Sequence, residues 1–213
     1  LNRERGSYFF LAEIFTSLEL EPNAEPYGEF CGTCRRCIDQ CPTGALADGF
    51  LMEPRVCISY LTIEHRGAIA RELRPKLGEW IFGCDICQEV CPWNGDASTG
   101  DANPDLMPSL PDLLALDDAA FSRRFTKSAI KRAKRRGLLR NVAIVLGNTK
   151  NPAAIPPLAR ALAEESEALV RSHAAWALGN IGGASARRAL ESARRRNSDP
   201  GTICEISDAL ERC

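Results

Sequence analysis

Eight cysteines crowd into the stretch from Cys31 to Cys91, and their spacing limits the possible folds more than any other feature. They read Cys31-x2-Cys34-x2-Cys37-x3-Cys41-Pro42, then Cys57, then Cys84-x2-Cys87-x3-Cys91-Pro92. Three chemistries want clustered thiols. A disulfide framework wants a short secreted chain, and nothing here marks secretion. Zinc sites use paired Cys-x2-Cys knuckles, often with His, and this chain has only His65 and His173, neither at ligand spacing. Three cysteines in one tight turn closed by x3-Cys-Pro instead match the bacterial ferredoxin run. There, three thiolates hold one four-iron cube and the fourth serves the other.

The second run lacks one ligand, because position 81 is Ile81 rather than cysteine. Cys57 is the unassigned cysteine nearby. The spacing therefore assigns Cys31, Cys34, Cys37 and Cys91 to one cluster, and Cys41, Cys57, Cys84 and Cys87 to the other. Cys204 is expected as a small core hydrophobe in a helix, and Cys213 as idle. Both histidines read as structural or surface residues.

Around this region the chain is ordinary. Of 213 residues, 45 % are apolar and 26 % charged, with net charge −1, which excludes a disordered or collagenous chain and names no partner. The longest apolar run, near Asn141–Leu146, falls far short of the ~20 residues that span a bilayer. No signal segment opens the chain, and Leu1 in place of Met suggests a fragment.

The order of patterns predicts a mainly α protein with a small β component. It places a two-cluster ferredoxin-like domain before HEAT-like helical repeats. Residues 1–28 form an opening segment and connector. Tyr8, Phe9, Leu11, Ile14, Phe15 and Leu18 there have the spacing of an amphipathic helix, and Asn23–Gly28 links onward. Residues 29–95 are the cluster domain, with a hairpin over Ala45–Met52 turned at Asp48-Gly49, and a helix from Cys57 to about Glu72. Residues 96–120 read as a linker rich in Gly, Pro, Asp and Asn, and residues 121–213 as the repeats. Within the repeats, Leu138–Asn148 aligns with Val170–Asn180 at an offset of 32 residues. An apolar second helix follows each copy. Paired helices at that period suggest a solenoid too short to stand alone.

Local charge says more than the total. Arg123, Arg124, Lys127, Lys131, Arg132, Lys134, Arg135, Arg136 and Arg140 are interrupted by no acid. A solvated helix mixes signs, so this block reads as a phosphate-binding face. A second group, Arg187, Arg188, Arg194, Arg195 and Arg196, lies further on. No stacking-aromatic RNA motif accompanies them, so such a face would recognise backbone and shape.

Together these residues resemble the epoxyqueuosine reductase family. The resemblance rests on Cys31-Gly-Thr-Cys34-Arg-Arg-Cys37-Ile-Asp-Gln-Cys41-Pro-Thr-Gly-Ala-Leu46 and on the lone Cys57 in Cys57-Ile-Ser-Tyr-Leu-Thr-Ile-Glu-His-Arg-Gly67. It rests too on the Ile81–Asn94 run, the opening Gly6–Thr16 and the HEAT-like tail. The resemblance implies reduction of epoxyqueuosine to queuosine at the tRNA wobble position, with two 4Fe–4S clusters and cobalamin. It implies that the catalytic Asp and most of the cobalamin pocket lie in an N-terminal domain outside this chain, so that the fragment alone should not turn over. Ser59, Asp85 and Thr16 are then candidate corrin contacts beside the Cys41, Cys57, Cys84 and Cys87 cluster. Arg66 joins the basic block as a candidate tRNA contact. The implied partners are the modified tRNA and a low-potential donor such as flavodoxin or ferredoxin. A monomer in the cytoplasm, off the membrane, is expected. The main alternative is a two-cluster electron carrier with a protein-docking solenoid. A cobalamin enzyme for a small molecule, or a zinc-stabilised RNA-binding module, would use less of the pattern.

Overall fold

The structure, a computed structural model, describes residues 2, 6–22, 28–48, 51–95 and 109–213. In chain order its elements are α1 (Arg36–Asp39), β1 (Leu46–Ala47), β2 (Leu51–Met52), α2 (Ile58–Ile63), α3 (Ile86–Glu89), α4 (Leu110–Leu114), α5 (Asp118–Arg124), α6 (Lys134–Asn148), α7 (Ile155–Glu164), α8 (Ala168–Ile181), α9 (Gly183–Arg194) and α10 (Pro200–Arg212). They fall into two compact units. One holds Leu1–Glu53 and Asp85–Asp101, the other Pro54–Cys84 and Ala102–Cys213. The region expected as one domain over 29–95 is thus shared, with its middle belonging to the helical repeats.

In the first unit the two cysteine runs fold alike. Cys37 and Cys87 each sit in a single helical turn, α1 and α3. The preceding residues have nearly the same backbone, φ −124°, ψ 10° at Arg35 and φ −115°, ψ 13° at Asp85. Each turn ends just before a Cys-Pro pair, because proline donates no hydrogen bond and turns its predecessor away from the helix. The hairpin forms as expected, with Leu46 opposite Met52 and Ala47 opposite Leu51. The expected opening helix does not form. Residues 8–16 are irregular, and Phe10, Leu11, Ile14, Phe15, Leu18 and Leu20 are exposed. An isolated amphipathic helix is marginal in water, and these side chains bury no apolar face among the described residues. The connector Asn23–Gly28 lies outside the described residues except for Gly28, as does 96–108 of the expected linker. The rest of that linker is helical, in α4 and the start of α5. Ser109 and Asp117 cap these helices by accepting from the N–H groups of Asp112 and Ala120.

The repeats form as expected, and α10 adds a further layer. Helices α6, α8 and α10 stack in sequence, with α7 and α9 alongside. The shared offset has a packing cause. Gly147 and Gly179, 32 residues apart, sit where neighbouring helices touch. A Cβ at Gly147 would lie 2.8 Å from Ala177 Cα, and one at Gly179 2.8 Å from Ala209 Cα. Backbone cannot step aside cheaply, so alanine at either glycine should cost about 1–3 kcal/mol in a denaturant titration.

Residues 54–84 dock onto these helices. Leu61, Ile69 and Leu77 join the buried core. Asn148 Nδ2 donates to the carbonyls of Arg74 and Gly78, each at 3.0 Å. Arg74 is buried, ion-paired to Glu205 at 3.0 Å, and lies over the Trp176 ring. His173 is fully buried. Its Nε2 accepts from Ile69 N–H at 3.2 Å, so its Nδ1–H donates to the Leu169 carbonyl at 2.7 Å. Burial, then the charges of Arg74 and Arg140, hold its pKa at about 3, below the ordinary 6.5. Between those values the unfolded chain binds a proton that the folded chain excludes. Stability is therefore complete above pH 6.5 and falls as pH is lowered toward 3. Unfolding at pH 5 rather than pH 7 should show a loss of about 2 kcal/mol from this residue, and His173→Gln should remove that increment.

Candidate cluster site and basic face

Cys31, Cys34, Cys37 and Cys91 come together. With Arg36, Pro92 and Trp93 they line one cavity of about 40 Å³ in the first unit. The Cys34 N–H donates to the Cys31 carbonyl at 2.9 Å, which curls the first two cysteines into a turn. Trp93 closes one side, its Nε1 donating to the Phe30 carbonyl at 3.1 Å. Among the described residues no three His, Cys, Asp or Glu side chains gather as ligands of one ion would. A cube asks for something different, four thiolates each on its own corner iron. The four sulfurs around this cavity fit that donor set.

The other four cysteines divide between the units. Cys41 and Cys87 are in the first. Burial alone would raise the Cys41 thiol. The Thr43 hydroxyl and the N–H groups of Ala45, Leu46 and Thr43 outweigh it and hold the thiol below its usual range. The Ala45 N–H points at the sulfur from 3.3 Å. Such donors favour thiolate, the form that ligates metal.

Cys57 and Cys84 belong to the second unit. Cys57 is the extended residue that opens α2. The helix then stops at Ile63, far short of the expected end near Glu72. The N–H groups of Glu64 and His65 both turn back to the Tyr60 carbonyl. Side chains of α6 take the open carbonyls here: Arg140 donates to that of Leu61 and Asn141 to that of Thr62 at the helix end, and Arg140 also to those of His65 and Gly67 just beyond it.

The candidate corrin contacts are spread over both units. Thr16 is exposed outside any helix, with its Oγ1 accepting from the Leu18 N–H. Asp85 is exposed and accepts from Gln88. Ser59 is half-buried in α2, in the other unit. Each offers a polar side chain at its own place in the fold.

The basic block separates into two classes. Arg123 and Arg124 end α5, Lys127 follows, Lys131 and Arg132 lie in the tight turn Ala129–Ala133, and Lys134 and Arg136 open α6; all are exposed. Lys127 and Lys134 adopt left-handed backbone, φ 59° and 61°, a conformation that costs free energy for lysine. Positive charge in the first turn of α6 also opposes the helix dipole, and Ala133 offers no side-chain cap. Both costs are offset where an anion binds.

Arg135 and Arg140 do not belong to that face. Arg135 is mostly buried, donating to both carboxylate oxygens of Glu165, at 3.1 and 2.5 Å, and to the Leu116 carbonyl. Arg140 is 0 % exposed. Sequence counted both as basic, and only the fold shows that their charge points inward. Glu64 was missed in the sequence. It pairs with Arg132 and, at 3.8 Å, with Arg66, placing the end of α2 inside the basic face. Cys204 is exposed on α10 rather than buried in the core, because its neighbours Glu205 and Ile206 take the inward face. Cys213 is half-buried against the core.

Residues 30–94 match the family described as a 4Fe-4S double cluster binding domain, and residues 124–210 match HEAT repeats. Over 188 residues the chain is 44 % identical to epoxyqueuosine reductase of Xanthomonas campestris pv. campestris, covering 85 % of this chain and 53 % of that protein. The structure of epoxyqueuosine reductase from Bacillus subtilis superposes with a TM-score of 0.84 at 32 % identity, covering 91 % of this chain and 53 % of that one. An epoxyqueuosine reductase solved with an epoxyqueuosine-modified tRNA stem loop gives 0.83 at 32 % identity, over 90 % of this chain and 52 % of the other. The chain spans about half the length of the curated relatives it matches.

Proposed function

The chain belongs to the epoxyqueuosine reductase family, and from that premise we propose that it is the part that supplies electrons and grips tRNA in the reduction of epoxyqueuosine to queuosine. The observation that carries this reading is that α2 joins the two chemistries. It begins at the cluster ligand Cys57, and just past its end Glu64 pairs with Arg132 of the basic face. An electron carrier has no need to build its cluster ligands into a phosphate-binding surface.

Opening the epoxide to an alkene takes two electrons and two protons and releases its oxygen as water. No side chain supplies those electrons at the required potential. Cys31, Cys34, Cys37 and Cys91 hold one cluster and Cys41, Cys57, Cys84 and Cys87 the other. Electrons enter from a low-potential donor such as flavodoxin or ferredoxin, one at a time. Cobalamin, held mainly by residues outside this chain, supplies the reductive chemistry at the epoxide when bound. Thr16, Ser59 and Asp85 meet at most its edge. The exposed basic residues and Arg66 hold the tRNA backbone, and the setting is the cytoplasm.

Deleting the full-length gene and analysing the wobble nucleoside by mass spectrometry tests the reading. Epoxyqueuosine should accumulate, with queuosine restored by the intact gene and not by a Cys41→Ala copy. Normal queuosine in a strain with no second reductase would sink it. The tRNA surface has its own test. Reversing Lys131, Lys134 and Arg136 to glutamate should weaken binding of a modified stem loop at least ~10-fold. It should also flatten the salt dependence by about two to three phosphate contacts, with iron content unchanged. Unaltered affinity would remove this face from RNA recognition.

A further inference from the structure

We propose that Thr62 and Asn141 are positioning residues that set the placement of Cys57 and Cys84, and so the properties of the cluster these thiols help hold; the inference rests on the ligand reading above. Residues 54–84 leave α2 and return to Cys84 as two limbs, with one cysteine at each end. Two polar side chains bridge the limbs beside the cysteines. The buried Thr62 hydroxyl donates to the Ile58 carbonyl at 2.8 Å and accepts from the Gly83 N–H at 3.0 Å. Ile58 directly follows Cys57, and Gly83 directly precedes Cys84. Gly83 has φ +75°, a backbone that glycine adopts without strain, so the chain turns into Cys84 at that bond.

Asn141 repeats the arrangement one layer further in. Its Nδ2 donates to the Thr62 carbonyl at 2.8 Å and the Ile81 carbonyl at 2.9 Å, one partner on each limb. Arg140 holds the Asn141 Oδ1 from Nε and NH2, at 3.0 and 2.8 Å, so the amide cannot turn. Asn141 is fully buried in α6, where it and Arg140 are the polar residues between apolar stretches. The repeat helix is thereby tied to Thr62, which bonds both residues that flank the thiols, and to Ile81, three residues before Cys84. A thiolate shifted by a fraction of an ångström, or a sulfur newly open to water, changes the potential of its cluster.

The test uses the full-length holoenzyme and reads each cluster by electron paramagnetic resonance during a redox titration. Thr62→Val and Asn141→Ala should each shift the potential, or remove most of the signal, of one cluster. That cluster should be the one lost in Cys57→Ala, with the other unchanged. Thr62→Ser, which restores the hydroxyl, should return the signal. Asn148→Ala is the matched control, because Asn148 also bridges two carbonyls from α6 but in the middle of the segment, away from the thiols. Wild-type signals and potentials in both Thr62→Val and Asn141→Ala would overturn the proposal. So would an equal disturbance in Asn148→Ala, which would mean general loosening. If Cys57→Ala itself left both clusters intact, the ligand reading would fail and this inference with it.

Discussion

Replacing Cys91 by alanine in the full-length enzyme should remove one of its two clusters, roughly halve its iron, and lower turnover more than ~100-fold, beyond the loss typical of outer-shell changes. Cys91 is the one cysteine lining the first cavity that comes from the second cysteine run. Cys31, Cys34 and Cys37 are supplied by one short stretch, and the fourth sulfur comes from Cys91, two residues past the end of α3. Alanine leaves an iron without its thiolate, and no other sulfur lines that cavity. Two clusters in series carry current only if both are present, so turnover should fall further than iron content. The remaining resonance should be the one lost in Cys57→Ala. If Cys91→Ala and Cys57→Ala removed the same cluster, the division of ligands would be wrong even though the cluster chemistry stood.

The double-cluster domain was legible because several thiolates on neighbouring corners of a cube come from one tightly spaced stretch, and that spacing is written in the local sequence. The repeats were legible because α6 and α8 bury nearly their whole circumference, which forces the same apolar string twice at one offset. What stayed hidden was any feature decided by a partner distant in the chain. The apolar residues between Tyr8 and Leu18 have helical spacing, but spacing becomes helix only against a packing surface. Cys57 to Glu72 read as a helix, yet α2 ends at Ile63 where Arg140 and Asn141 of α6, 79 residues later, take the carbonyls of Leu61 and Thr62. Arg135 and Arg136 are adjacent and alike in sequence. Only the fold turns one toward Glu165 and the other toward solvent.

Arg140→Ala should be the most destabilising single change in the helical unit, about 3–5 kcal/mol by urea unfolding, with a fall in Tm of roughly 10 °C. The guanidinium is 0 % exposed and, among the described residues, meets no carboxylate. NH1 donates to the carbonyls of His65 and Gly67 at 2.8 and 2.7 Å, and NH2 donates to that of Leu61 at 2.6 Å. Burial, then Arg66 and Arg136, lower its pKa to about 10, so it is still charged at neutral pH. The carbonyl end of α2 is where such a cation is best placed. A buried charge can often be exchanged for a hydrophobe when its partner is exchanged too. Here the partners are backbone carbonyls that no substitution removes, so Arg140→Met should fail nearly as badly as alanine. Arg140→Lys keeps the charge but reaches fewer oxygens, and should recover part of the loss. A residue that instead met RNA phosphate would weaken tRNA binding on removal and leave unfolding almost untouched. A change below about 1 kcal/mol would therefore return Arg140 to the RNA-binding face, and with it the wider basic surface that the sequence suggests.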